Sequence, residues 1–238
     1  ICGATDEELD LSGQKLDLRN DIPVVCAEIS NNKTMEKLNM SSNQIQGETY
    51  GKALSDALAA NVVLKEVDLS NNDIGPWFAK ALTDGIRANT VISTFNILSN
   101  KIGTVQAMEL INIMKRKDTL KTLCGFMLNQ RKVSFSGSHL TGSWDWVLIS
   151  LDLRSSTVLE CLELRGNGLD DNVVKALADA LMVNTGRKFV WAETIFLDMW
   201  FNDEQVSDER KSNFRKLLKN GQIEILTGGW VMTEEAPS

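Results

Sequence analysis

The chain has 238 residues, 43% of them hydrophobic, and a formal net charge of −7. That length buries a continuous core, and the negative charge argues against nucleic acid or an anionic membrane as the main partner. No apolar run approaches the roughly 18 residues of a membrane-crossing helix.

In chain order, the first predicted strand lies at Leu9-Asp-Leu11, where apolar residues alternate as in a half-buried strand. The pattern then repeats. Met35-Glu-Lys-Leu38-Asn-Met40-Ser-Ser-Asn43-Gln-Ile45 returns as Leu64-Lys-Glu-Val67-Asp-Leu69-Ser-Asn-Asn72-Asp-Ile74 and as Ile92-Ser-Thr-Phe95-Asn-Ile97-Leu-Ser-Asn100-Lys-Ile102. It returns again as Leu159-Glu-Cys-Leu162-Glu-Leu164-Arg-Gly-Asn167-Gly-Leu169. The first asparagines step by 29 and then 28 residues, a period that predicts a solenoid. Each asparagine stands where the chain turns out of its strand, and its amide is suited to bonding backbone groups of the turns in a ladder. Helical spacing follows at residues 50–58 and 78–86. Asn61, Asn89 and Asn184 come just after helices, where a left-handed helix stop is expected. A unit of one strand and one helix cannot bury its apolar face alone, so the units must stack with their strands parallel.

These strands, asparagines and helices in register resemble the ribonuclease-inhibitor type of leucine-rich repeat over roughly residues 7 to 202, and in style the interrupted arrays of algal and protist proteins. The resemblance implies an α/β fold, a right-handed horseshoe with a concave parallel sheet and convex helices. It also implies a recognition scaffold for another protein, with no catalytic residues and no cofactor.

A longer duplication underlies the short one. Leu38, Met40, Asn43 and Ile45 fall 124 residues before Leu162, Leu164, Asn167 and Leu169, and residues 52–58 match residues 175–181. Ile1-Cys2-Gly3 likewise matches Leu123-Cys124-Gly125. The expected organisation is one repeat domain over 1–238, made of blocks at 1–122 and 123–202, a C-terminal cap at 203–230 and a flexible tail at 231–238. Because Ile1 aligns within a repeat, the chain is expected to start inside a longer array or a processed precursor.

Between the blocks, Lys115, Arg116, Lys117, Lys121, Arg131 and Lys132 stand against Asp118 alone. Lys115 to Lys117 are read as complementing a helix C-terminus, ahead of an anion-binding patch. His139 is the single histidine, and it copies the turn position of Lys15. No metal set, catalytic triad or phosphate loop accompanies it. Asp170-Asp171 is read as helix-start acid. The four cysteines lack CxxC spacing, and free thiols fit a reducing compartment, cytoplasmic or organellar.

Alternation places the residues between the apolar strand positions on the open sheet face. The expected rows are Asp10, Asn39, Asp68, Asn96, Ser134, Glu163 and Asp198 at the centre; Glu8, Lys37, Glu66, Thr94, Lys132, Cys161 and Phe196 before it; and Ser12, Ser41, Ser70, Leu98, Ser136, Arg165 and Trp200 after it. The partner-binding candidates are Glu66, Asp68, Asn96, Lys132, Glu163, Arg165, Asp198 and Trp200. A mildly acidic face of this kind either takes a basic protein partner or is a solvated sheet, with the main binding surface elsewhere. Trp191, Phe196, Trp200, Phe201 and Trp230 are read as closing the open end of the core, with a last helix near Asp208 to Lys219 and a strand at Ile223-Glu-Ile-Leu226. Trp77, Trp144 and Trp146 flank helix starts, where any exposed one makes that edge a docking rim. Two alternatives accompany the scaffold reading: a structural subunit of a cytoskeletal or organellar assembly, and a Ran-type GTPase-activating protein.

Overall fold

The computed structural model describes residues 7–126, 129–140, 142–156, 158–159, 161–164, 166–167, 173, 176–177 and 179–180, and the strands at 195–198, 223–227 and 230–231. Strands and helices alternate, with β1 Glu8–Asp10, α1 Asp21–Asn31, β2 Lys37–Asn39, α2 Glu48–Ala60, β3 Glu66–Asp68, α3 Pro76–Ala88, β4 Thr94–Asn96 and α4 Thr104–Arg116. They continue as β5 Lys132–Ser134, α5 Ser143–Ser155, β6 Cys161–Glu163, β7 Ile195–Asp198, β8 Ile223–Thr227 and β9 Trp230–Val231. Three-residue strands suffice because only the middle residue of each must turn inward. Leu38, Val67 and Phe95 do so, all essentially buried.

The chain forms two compact units, residues 1–127 with 142–148, and residues 128–141 with 149–238. In the first, β1-β2-β3-β4 make a parallel sheet in strict register: Glu8 pairs with Lys37, Lys37 with Glu66 and Glu66 with Thr94. In the second, β5 to β8 are parallel and β9 pairs antiparallel with β8. The strands expected in one concave row therefore fall into two sheets. The reason is visible on β4. Residues of the spacer bridge it, Thr122 beside Thr94 and Cys124 against Asn96, and Phe95 and Ile97 donate their N–H groups to the carbonyls of Thr122 and Leu123.

Between sheet and helices, Met40, Ile45, Leu54, Leu58, Leu64, Leu69 and Ile74 are fully buried. Helices α2 and α3 approach closely at glycines. A Cβ on Gly85 would stand 2.5 Å from the Ser55 carbonyl oxygen, and one on Gly51 2.9 Å from Phe78 Cα.

Two ladders stitch these repeats. The expected one runs through the strand-exit asparagines. Asn72 Nδ2 reaches the carbonyls of Met40 and Leu69 at 3.0 Å and Ser70 at 3.2 Å, while its Oδ1 accepts from the N–H groups of Asn43 and Ile45. Asn43 and Asn100 repeat the arrangement, and Asn167 does so in the second unit by reaching Phe135 at 2.7 Å.

The second ladder stands at the helix ends and corrects the expected left-handed stops. Asn61 has φ −77° and Asn89 φ −61°, both extended. Their role is bonding across repeats: Asn61 Nδ2 donates to Ile29 O at 2.6 Å, and Asn89 Nδ2 to Leu58 O at 2.8 Å and Asn61 O at 3.0 Å. Each Oδ1 accepts from the two N–H groups that open the next turn, Val63 and Leu64 or Val91 and Ile92. Asn184 lies outside the described residues, as do the expected cap and tail apart from β8 and β9.

Candidate functional site

The open face of the β1–β4 sheet carries Glu8, Lys37 and Glu66 in one row and Asp10, Asn39, Asp68 and Asn96 in the next, in the register given above. A shallow recess of about 170 Å³ between Glu8, Lys37, Glu66, Asp68 and Asn96 is closed at one side by Gly125 of the spacer. Lys37 Nζ lies 3.5 Å from Glu66. Asn96 Nδ2 donates to Asp68 Oδ2 at 2.9 Å, so two of the partner-binding candidates touch.

Most of the second row has a local reason for its residue type. The side chain of each strand-end residue accepts the N–H two positions on: Asp10 from Ser12 at 2.8 Å, Asn39 from Ser41 at 3.0 Å, Asp68 from Ser70 at 2.8 Å and Asn96 from Leu98 at 3.2 Å. This side-chain turn selects Asp and Asn at strand exits irrespective of any partner. It holds the Asp10 carboxyl below its usual range, chiefly through the Ser12 N–H. Glu8 and Asp10 are both exposed.

Two expected face residues are not on it. Leu98 is 2% exposed and Thr94 9%, and Thr122 of the spacer is bridged beside Thr94. In the second unit Lys132 and Ser134 are exposed on β5, and Glu163 is half-buried on β6 in register with Ser134 and with Asp198 of β7. Only the strand position of Asp198 is described. Arg165 and Trp200 lie outside the described residues, so the structure joins Glu66, Asp68 and Asn96 in one sheet and Lys132, Glu163 and Asp198 in the other.

Around this face, Trp146 is buried, and Trp144 is half-buried with its indole N–H donated to Thr104 Oγ1 at 3.3 Å. Trp77 is 66% exposed with the Lys80 ammonium 5.9 Å from its ring centre. His139 sits in an exposed turn at φ 52°, matching Lys15 at φ 55°. Cys26 and Cys124 are free and buried, and burial pushes the Cys26 thiol up to about 11, which leaves it unreactive. Among the described residues there is no metal-binding group of His, Cys, Asp or Glu, and no helix long and apolar enough to cross a membrane.

Comparison with known proteins divides the chain. Residues 31–48, 60–76 and 155–178 match the leucine-rich repeat family model. Residues 170–238 match the N-terminal domain of glycosyl hydrolases family 38. A probable alpha-mannosidase of Arabidopsis thaliana is 43% identical over 65 residues, which is 27% of this chain and 6% of that protein. Mouse alpha-mannosidase 2x is 37% identical over 67 residues and Dictyostelium discoideum alpha-mannosidase F 42% over 67, each again over 6% of its own length. The chain thus spans about 6% of the length of these curated relatives. Among solved structures, the tropomodulin C-terminal domain of Caenorhabditis elegans superposes with a TM-score of 0.39 at 12% identity, over 76% of this chain and 84% of that one. Actin-binding site 2 of leiomodin-1 gives 0.37 at 10% identity, over 91% and 88%. Residues 31–48, 60–76 and 155–178 are thus similar to leucine-rich repeats, and residues 170–238 to a glycosyl hydrolase domain.

Proposed function

We propose that this chain is a non-enzymatic, intracellular protein-interaction scaffold built on ribonuclease-inhibitor-like leucine-rich repeats stacked as a horseshoe-shaped solenoid. Its partner is a basic protein surface taken on the open face of the β1–β4 sheet. One observation carries this reading: Glu8, Asp10, Glu66 and Asp68 stand on that face against Lys37 alone. The free buried thiols of Cys26 and Cys124 support a reducing compartment. The test is capture from a lysate of the source organism with the native chain and a Glu8→Lys/Glu66→Lys/Asp68→Asn variant. Asparagine at 68 keeps the acceptor that the Ser70 N–H needs while removing the charge. A basic protein held by the native chain and lost by the variant supports the reading; equal retention moves the binding surface elsewhere.

A second reading rests on the match of residues 170–238 to the N-terminal domain of glycosyl hydrolases family 38 and on the 43% identity of part of the chain to an alpha-mannosidase. Residues 170–238 then belong to a glycosyl hydrolase fold, and Trp191, Phe196, Trp200, Phe201 and Trp230 serve that fold rather than cap the repeats. Release of p-nitrophenol from an α-mannoside by the purified chain supports it, and no release above a buffer blank counts against it.

A further inference from the structure

The outer surface of the helices in the first unit changes chemistry after α2. Helices α2, α3 and α4 start at Glu48, Pro76 and Thr104, and α5, whose first turns belong to the same unit, starts at Ser143. The second and fifth residues of each helix stand three apart and share one face. In α2 they are Thr49 and Lys52, both exposed, and in α3 they are Trp77 and Lys80. In α4 they are Val105 and Met108, and in α5 Trp144 and Val147. Polar residues give way to apolar ones at equivalent outward positions. Trp77 is 66% exposed, Val105 68%, Met108 49% and Val147 39%, and Trp144 is half-buried.

The helix starts abut. A Cβ on Gly103 would lie 3.2 Å from Pro76 Cγ, and the Trp144 indole N–H donates to Thr104 Oγ1 at 3.3 Å. The five apolar side chains therefore form one strip across three helix starts rather than scattered single exposures.

The charges beside the strip say what covers it. Lys80, 5.9 Å from the Trp77 ring centre, is the one charged residue within 76–83, and 104–108 has none. Gly75 and Gly103 open α3 and α4 without a side-chain cap, and neither first turn holds an acid, whereas α1 has Asp21 there and α2 has Glu48. The positive dipole ends of α3 and α4 are thus unopposed at the edge of the strip. The carboxylates nearby are already paired, Asp73 with Lys101, and Asp84 and Glu109 with Arg87.

We infer that this strip docks an acidic amphipathic helix of a second protein. Its apolar side chains rest on Trp77, Val105, Met108, Trp144 and Val147, and its carboxylates meet Lys80 and the starts of α3 and α4. Packed helices lie about 8–10 Å apart, so three of them span roughly 20 Å, the length of about 13 helical residues. The surface lies on the helices and not on the sheet, which gives the chain a second partner of opposite charge to the first.

The test is fluorescence polarisation of the full chain with two dye-labelled amphipathic peptides of about 14 residues, with leucine on one face and glutamate or lysine on the other. The glutamate peptide binds the native chain. Trp77→Ser/Val105→Ser/Met108→Ser and, separately, Lys80→Glu each weaken it about tenfold or more, with unchanged urea midpoints. The Glu8→Lys/Glu66→Lys/Asp68→Asn variant binds it as the native chain does, which separates this surface from the sheet face. No binding of the glutamate peptide to the native chain, equal binding to the strip variants, or equally tight binding of the lysine peptide would overturn the proposal. A concentration-dependent dimer of the native chain that the triple-serine variant loses would also overturn it, by giving the strip to a second copy.

Discussion

Asn72 meets five backbone groups from one short side chain, and the work of the repeat is concentrated in such residues. Replacing it with alanine leaves buried carbonyls and N–H groups without partners. Asn72→Ala should lower unfolding free energy by about 3 kcal/mol in urea titration, since each orphaned buried group costs roughly 1–3 kcal/mol. By contrast, Lys65→Ala, which breaks a surface ion pair of 2.6 Å with Glu36, should change it by less than about 0.5 kcal/mol.

Asp145 makes a pH prediction. It is 4% exposed, and it accepts the N–H of Ser99 at 2.8 Å and of Gly142 at 3.2 Å. Burial outweighs these bonds and raises its carboxyl above the ordinary 3.8. A carboxyl raised in the folded chain contributes stability that is fully present below its unfolded value and lost as pH rises through the folded value. The stability difference between the native chain and Asp145→Asn should therefore shrink as pH climbs from 3.8, read from urea midpoints at several pH values.

At the scale of elements, close helix contact depends on glycine. Gly85→Ala drives a methyl group into the Ser55 carbonyl, so α2 and α3 must separate, at about 2 kcal/mol, the usual range for overpacking. A thermal melt checks this, and an unchanged midpoint would show that the helices move apart freely. The strands, the register of β1 to β4 and the first asparagine ladder were legible in the sequence, because alternation and a fixed period encode them directly. The equivalence of His139 and Lys15 was legible for the same reason. The second ladder was not. Local rules explain an asparagine after a helix by its own φ, whereas Asn61 and Asn89 act on carbonyls about one repeat away. The only sequence signal was their spacing, the same 29 and 28 steps as the strand-exit row when Asn32 is included. Leu98 and Thr94, expected on the open face, are buried, and nothing in their own repeat announces that Thr122 of the spacer pairs beside Thr94.

At the scale of the whole molecule, repetition predicted one array, and the structure holds two sheets in two compact units. The spacer's lack of a repeat motif marked the interruption, while its bridges to β4 were a tertiary matter. The C-terminal aromatics are read from sequence as closing a core, with Trp200 also a partner-binding candidate. Their similarity to a glycosyl hydrolase domain has no physical signature of its own in composition or period, so comparison was needed to find it. The acidic rows of the candidate site were legible by alternation, but their cause was not, since the turn bonds from Ser12, Ser41 and Ser70 explain part of them without a partner.

The most direct test of the scaffold account is carboxyl footprinting of the chain alone and with the basic protein it captures. The account predicts that labelling of Glu8, Asp10 and Glu66 falls on binding, while Asp56 and Asp84 on the helices label as before. Protection confined to the helices or to residues 170–238, with Glu8, Asp10 and Glu66 unchanged, would contradict it.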